Sequence, residues 1–236
     1  MELLGKTLSE KTEQIYTELL GKLTDKLVIS VMDITKQDDV NRPCYHDTKA
    51  GEYVIKLDNQ LEDSLFENAL LRNMIYCVQM EEGSPILDPN PRDQLAVTAA
   101  AMINSTILDI NLEQRLDDYG VAKPADLDTM RLEDFFMFLR TDTAQTNRTL
   151  YDIVASLQMI MLYFTVDTEE SINQVLMTFE MSDPALFDLI HKGIDIIEKY
   201  GYDTTRGQMR CMRKLALMLG MKDKIKVFYE GQATLV

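Results

Sequence analysis

Apolar positions recur along this chain with two periods, and the switches between them mark its elements. From Ser9 to Leu23 the residues Ile15, Leu19 and Leu23 fall four apart, with Tyr16 and Leu20 beside them, which predicts an amphipathic helix opened by Ser9, Thr12 and Glu13. The β-branched run Leu27–Met32 then predicts a strand. Lys36–Gly51 is polar, holds Pro43 and reads as a loop. Glu52–Leu57 alternates apolar with polar and predicts a second strand, ended by Asp58 and Asn59. Residues 61–81 follow as a helix, apolar on nearly every side between Ala69 and Val78 and therefore buried. The opening is thus helix–strand–strand–helix.

Pro85, Pro89 and Pro91 crowd the stretch Ser84–Arg92, which predicts a hinge or subdomain boundary because no helix continues through such a run. From Asp93 the pattern is almost wholly helical. Asp93–Leu108 is Ala-rich and apolar on most sides; Asp109 stands where an N-cap would start a second piece, Asn111–Tyr119, closed by Gly120. Further helices are expected at Arg131–Leu139, Thr149–Thr165, Glu169–Phe179, Pro184–Tyr200 and Thr205–Leu219, and a short strand at Ile225–Tyr229. The fold class is α+β, mostly α: a small antiparallel or mixed sheet with a central buried helix, followed by a helical C-terminal half. The expected division is 1–90 and 91–236, packed together as one structural unit.

The formal net charge of −15 argues against nucleic acid and against an anionic membrane surface as partners, since both need clustered Lys and Arg. The acids are spread through the chain, which fits solubility. Cys44, Cys77 and Cys211 are odd in number and form no Cys-x-x-Cys pair, so a reduced cytoplasmic protein is expected. The first 30 residues hold Glu2, Lys6, Glu10, Lys11 and Glu13, which leaves no secretory segment, and no uninterrupted apolar run is long enough for a bilayer. Fifteen Met and no Trp suggest an adaptable core; Met also marks promiscuous binding surfaces, the less frequent use.

Chemistry-bearing motifs are sparse. There is no Gly-x-Ser-x-Gly elbow, no phosphate loop and no Gly-x-Gly-x-x-Gly, and no cofactor is expected. His46 lies in the predicted loop, where a surface position is the default, and His191 lies mid-helix. Cys77 reads as an inert buried thiol. Arg206, Arg210, Arg213 and Lys214 form one basic patch, expected to pair internally with the acidic excess and, failing that, to dock an acidic partner.

One stretch carries a family resemblance. Residues 66–85, with Arg72, Asn73, Met74, Ile75 and Tyr76 followed by Gln79 and Gly83-Ser84-Pro85, look like the active-site helix of a zincin, a small bacterial His-Glu-x-x-His metallopeptidase with a degenerate motif. The extended Tyr53–Leu57 ahead of the helix, the apolar turn Ala69-Leu70-Leu71, and the later Met102–Asp109 with Leu112, Arg115, Leu116, Tyr119 and Gly120 fit the same pattern. In that family, His at i and i+4 meet one Zn²⁺ and the Glu between them activates its water. Arg72 and Tyr76 stand at the ligand positions and Asn73 at the base. A guanidinium binds no cation and an amide accepts no proton at neutral pH. The resemblance places a third ligand at Asn104 or Asp109.

It therefore implies a metallopeptidase-like fold with no metal and no catalytic residue. Arg72, buried in a core helix, needs a carboxylate, for which Asp109 is the preferred partner, with Asn73 and Tyr76 hydrogen-bonded in the vacated space. The function expected is binding, a protein–protein or regulatory role with an unidentified protein partner, the C-terminal helical half supplying the surface. The alternative is a hydrolase, or a small-ligand or peptide-binding protein, using the same cleft without zinc, with Arg72 on a substrate carboxylate and Tyr76 as proton donor. The resemblance requires 52–57 to be an edge strand beside helix 61–81.

Overall fold

The computed structural model of the chain describes residues 1–37, 43–141 and 146–229, and the backbone of 232–235. It divides into two compact units, one of residues 1–84 with 114–124, the other of 85–113 with 125–236. The chain is α+β and mostly helical, with small sheets of two and three strands.

The first unit opens on a short hairpin, β1 (Glu2–Leu3) and β2 (Lys6–Thr7), which the hydrophobic pattern did not announce. Helix α1 (Glu10–Leu20) follows; the Ser9 hydroxyl caps it by accepting the Thr12 N–H, and Ile15 and Leu19 turn inward. Strands β3 (Lys26–Val31), β4 (Cys44–Asp47) and β5 (Glu52–Leu57) form one mixed sheet in the order β3-β5-β4. β3 runs parallel to β5 and β4 antiparallel to it. Tyr53, Ile55 and Leu57 are the buried face of β5. The stretch expected as loop between 36 and 51 thus contains a strand, while its residues 38–42 lie outside those described. The reason is the turn after it: the Asp47 carboxylate accepts the N–H groups of Lys49 and Ala50, and Gly51 takes a left-handed φ of 64°, which closes a hairpin on β5. Helix α2 (Asp63–Glu81) packs on α1, β4 and β5, burying Phe66, Leu70, Leu71, Met74, Ile75, Cys77 and Val78.

The proline-rich stretch interrupts the helices as expected, the two units dividing between Ser84 and Pro85, and it also holds a strand, β6 (Ile86–Pro89). Pro89 is tolerated because β6 is the edge of a second sheet, β6-β7-β8, with β7 (Ile225–Tyr229) and β8 (Gln232–Leu235). Helix α3 (Gln94–Asp118) is continuous where two pieces were expected. No Gly or Pro interrupts it, and Asp109 accepts the Ser105 hydroxyl one turn back at 2.8 Å, so it acts as a mid-helix residue. By length and composition α3 could cross a membrane, yet its apolar positions Ala96, Ala99, Ala100, Ile103, Ile107 and Ile110 belong to the protein core. Its last turns return to the first unit, where Arg115 meets Glu82 at 2.6 Å and the Tyr119 hydroxyl donates to Glu18 at 2.7 Å.

Among the described residues five more helices belong to the second unit: α4 (Leu127–Leu139), α5 (Arg148–Thr165), α6 (Glu169–Ser182), α7 (Pro184–Tyr200) and α8 (Thr205–Met218). Their inward residues, with those of α3, β6 and β7, form one apolar core. α7 starts as its sequence predicts, with the Asp183 carboxylate capping Leu186 N–H and Pro184 in the first turn.

Candidate functional site

Helix α4 is too apolar for the place it occupies. It contains the unbroken run Phe135–Leu139, yet only Phe135 is fully buried. Leu132, Phe136 and Leu139 fall four and three apart and therefore share one stripe. That stripe faces Ser171, Gln174, Val175, Thr178 and Phe179 of α6 across an open cleft of about 340 Å³. Beneath it Phe135 meets Phe179 edge to face at 6.2 Å. Beside the cleft, Met137, Met177 and Met181 are 62 %, 61 % and 85 % exposed. The methionines thus split between two uses: Met74, Met159, Met212 and Met221 fill the core, while Met130, Met137, Met177 and Met181 face outward.

α4 is held in place from its polar side. Arg131 donates to the Glu113 carboxylate and to the Thr165 carbonyl, the latter at 3.1 Å. Asp128 accepts the Asp167 N–H at 2.9 Å, which ties α4 to the entry of α6. Glu133 and Asp134 on α4 and Glu169, Glu170 and Glu180 on α6 are exposed, α6 contains no Lys, Arg or His, and Arg140, an exposed cation, follows the lining residue Leu139. The cleft lining contains no carboxylate, imidazole, amine or thiol. The lining is apolar apart from the hydroxyls of Ser171 and Thr178 and the Gln174 carboxamide. The signal for it in the sequence was Phe135–Leu139, five consecutive apolar residues in a helix with only one buried side.

The residues picked from the sequence lie on α2 and α3. Arg72, Asn73 and Tyr76 are half-buried on α2. The Asn73 amide donates to the Ala69 carbonyl within its own helix at 2.8 Å, and Arg72 and Tyr76 are each engaged by a neighbouring group. Arg72 belongs to the first unit and Asp109 to the second. Asn104 is no spare ligand: its carboxamide accepts the Leu87 N–H at 2.8 Å and donates to the Leu87 carbonyl at 3.1 Å, closing the free edge of β6. Among the described residues no three His, Cys, Asp or Glu side chains converge so as to hold a metal ion. β5 is the middle strand of its sheet, hydrogen-bonded on both sides, and so is not the edge strand that the zincin resemblance requires. A peptide has no open strand of β5 to pair with.

The first unit nonetheless concentrates polar groups at one end of α2. His46, expected at the surface of a loop, is half-buried on β4, pairs with Asp25 at 2.6 Å and stacks on Tyr53 at 4.4 Å. The Tyr53 hydroxyl donates to Glu81 at 2.8 Å, and Thr24 donates to the other oxygen of Glu81 at 2.6 Å. Hydrogen bonding from Thr24 outweighs burial and holds the Glu81 carboxyl below its usual range, while burial and the Glu81 contact push the Tyr53 phenol well up. Cys77, one turn before Glu81 on α2, lies against Cys44 of β4 with 3.4 Å between sulfurs. His191 is exposed and edge-on to Phe187 at 4.3 Å. Among the described residues Arg206, Arg210, Arg213 and Lys214 form no ion pair, contrary to the internal pairing expected of them. α8 carries them with no acidic residue of its own, so no i,i+4 partner is at hand.

Comparison with protein-family models, with curated proteins and with solved structures finds no match to this chain.

Proposed function

We propose that this protein acts by binding, and that the groove between α4 and α6 takes up a helix of a partner protein that is apolar along one stripe and basic at its flanks. The observation that carries this reading is the cleft of Leu132, Phe136, Leu139, Val175 and Phe179, open and surrounded by exposed carboxylates. An apolar groove edged with flexible Met accommodates helices of varied shape, and the excess of carboxylates on α4 and α6 favours Lys- and Arg-bearing ones. The absence of titratable groups in the lining supports a binding role over a hydrolytic one. Three thiols and no disulfide among the described residues suit a reducing, cytoplasmic setting. The role draws nothing from a peptidase-like site on α2.

The test uses a fluorescent synthetic helix with Leu on one stripe and Lys and Arg elsewhere, against a permuted peptide of the same composition without the stripe. The striped peptide should bind, more weakly as salt rises, and Phe136→Asp and Thr178→Glu should each weaken it about tenfold or more. Equal binding of the permuted peptide, or unchanged affinity in both variants, refutes the reading. So does concentration-dependent self-association in sedimentation that Phe136→Asp abolishes, because it gives the groove to a second copy of the chain.

A further inference from the structure

Cys44 and Cys77 are 33 residues apart in sequence and in contact in space, with their sulfurs 3.4 Å apart. They come from different elements. Cys77 sits mid-face on α2 with no exposure, and Cys44 lies half-buried on β4, its thiol also 3.7 Å from the Asn73 carbonyl. β4 is an edge strand, held on one side only, so it can shift toward α2 without breaking the sheet. We infer that Cys44 and Cys77 form a reversible redox pair, in which a hydroperoxide converts the two thiols into a disulfide that clamps β4 to α2.

The geometry divides the roles. Cys44 is the thiol that solvent reaches, so its sulfur attacks the hydroperoxide. An S–O bond forms, the O–O bond breaks, and water or an alcohol leaves with the displaced oxygen and the thiol proton. The product is Cys44 sulfenic acid. The Cys77 sulfur then attacks the Cys44 sulfur: the S–S bond forms, the S–O bond breaks, and a second water leaves with the Cys77 proton. Two thiols and one hydroperoxide are consumed; the peroxide is reduced and the sulfurs are oxidised. A dithiol reductant reverses the step by exchange. The hydrogen bond with Cys44, aided by burial, pushes the Cys77 thiol far up, which suits the second, resolving role over the first. Cys211 does not compete. It lies in the other unit, fully buried, with its thiol 3.1 Å from the Gly201 carbonyl.

The experiment treats the intact native protein with hydrogen peroxide, alkylates free thiols, and maps peptides without reduction. One cross-linked peptide joining Cys44 to Cys77 is expected, with a mass lower by two hydrogens and restored by dithiothreitol. The oxidised protein should also melt at a higher temperature. Cys77→Ser should leave Cys44 as a sulfenic acid that dimedone traps, and Cys44→Ser should leave Cys77 unmodified. Should either variant fail to fold, the wild type decides alone, because the link must form faster in native protein than in denaturant. Separate alkylated thiols after peroxide, a link to Cys211, or equal rates in native and unfolded chains would overturn the assignment.

Discussion

Arg131 of α4 grips Glu113 of α3 in an ion pair nearly closed to water, the side chains being 14 % and 10 % exposed. The guanidinium also bonds the Thr165 carbonyl at the end of α5, so one side chain ties three helices together. Removing one partner leaves a charge stranded in a dry site, whereas removing both does not. Glu113→Leu should destabilise the protein by about 3–5 kcal/mol, and Arg131→Leu with Glu113→Leu by much less than the sum of the two single changes. Urea midpoints of the four chains in a double-mutant cycle give the answer, and simple additivity would show that the pair is not coupled. Because this pair sets the angle of α4, the single variant should also weaken peptide binding in the groove.

Glu67 predicts a pH dependence. Burial works against its charge, but hydrogen bonds from the Thr12 hydroxyl and from the Ser9 N–H and hydroxyl prevail and hold its carboxyl below the usual value. A carboxyl depressed in the folded state adds stability that is complete above its unfolded value and disappears as pH falls through its folded value. The native protein should therefore exceed Glu67→Gln by roughly 1 kcal/mol at neutral pH, a figure already reduced for solvent screening. The difference should start to shrink as pH falls below the ordinary glutamate value of about 4.3 and disappear only under strongly acid conditions, below the depressed folded value. Denaturation midpoints measured at both pH values check this; a difference that stays constant with pH rules it out.

Two glycines make a contrast. A Cβ on Gly207 would lie 2.7 Å from the Gly201 carbonyl oxygen and 2.8 Å from that of Tyr200, both backbone atoms. A Cβ on Gly193 would lie 2.1 Å from Cδ1 of Ile160, the free end of a side chain. Both Ala variants should lose stability, in the range of about 1–3 kcal/mol. Adding Ile160→Val, which deletes that methyl, should recover part of the loss for Gly193→Ala and none for Gly207→Ala. Thermal midpoints of the single and paired variants distinguish the two cases.

The elements with one strong local signal were legible from sequence. Pro184–Tyr200, Glu52–Leu57 and Ile225–Tyr229 have the ends expected of them, since a capping Asp183, a short apolar core between polar residues, and a mix of β-branched and aromatic residues are local physics. The misreadings occurred where a distant partner decides. Cys44–Asp47 looks like loop until β5 is beside it, and Ile86–Pro89, rightly read as a boundary between helices, shows no strand until β7 is beside it. Asp109 resembles a cap because capping and mid-helix hydrogen bonding use the same carboxylate; Ser105, four residues back, settles which. The helix of Arg72, Asn73 and Tyr76 was found, but the spacing of its residues says nothing about the order of strands beside it. The groove is not legible in the sequence because its two stripes lie on helices 30 or more residues apart, each reading alone as core.

Leu87 shows what Asn104 does for the whole molecule. By taking both the N–H and the carbonyl of Leu87, the carboxamide imitates the rungs that a further strand would supply. Naked sheet borders let one chain recruit another into fibrils. A single amide borrowed from a helix thus occupies, at Leu87, the groups through which this border would recruit another strand.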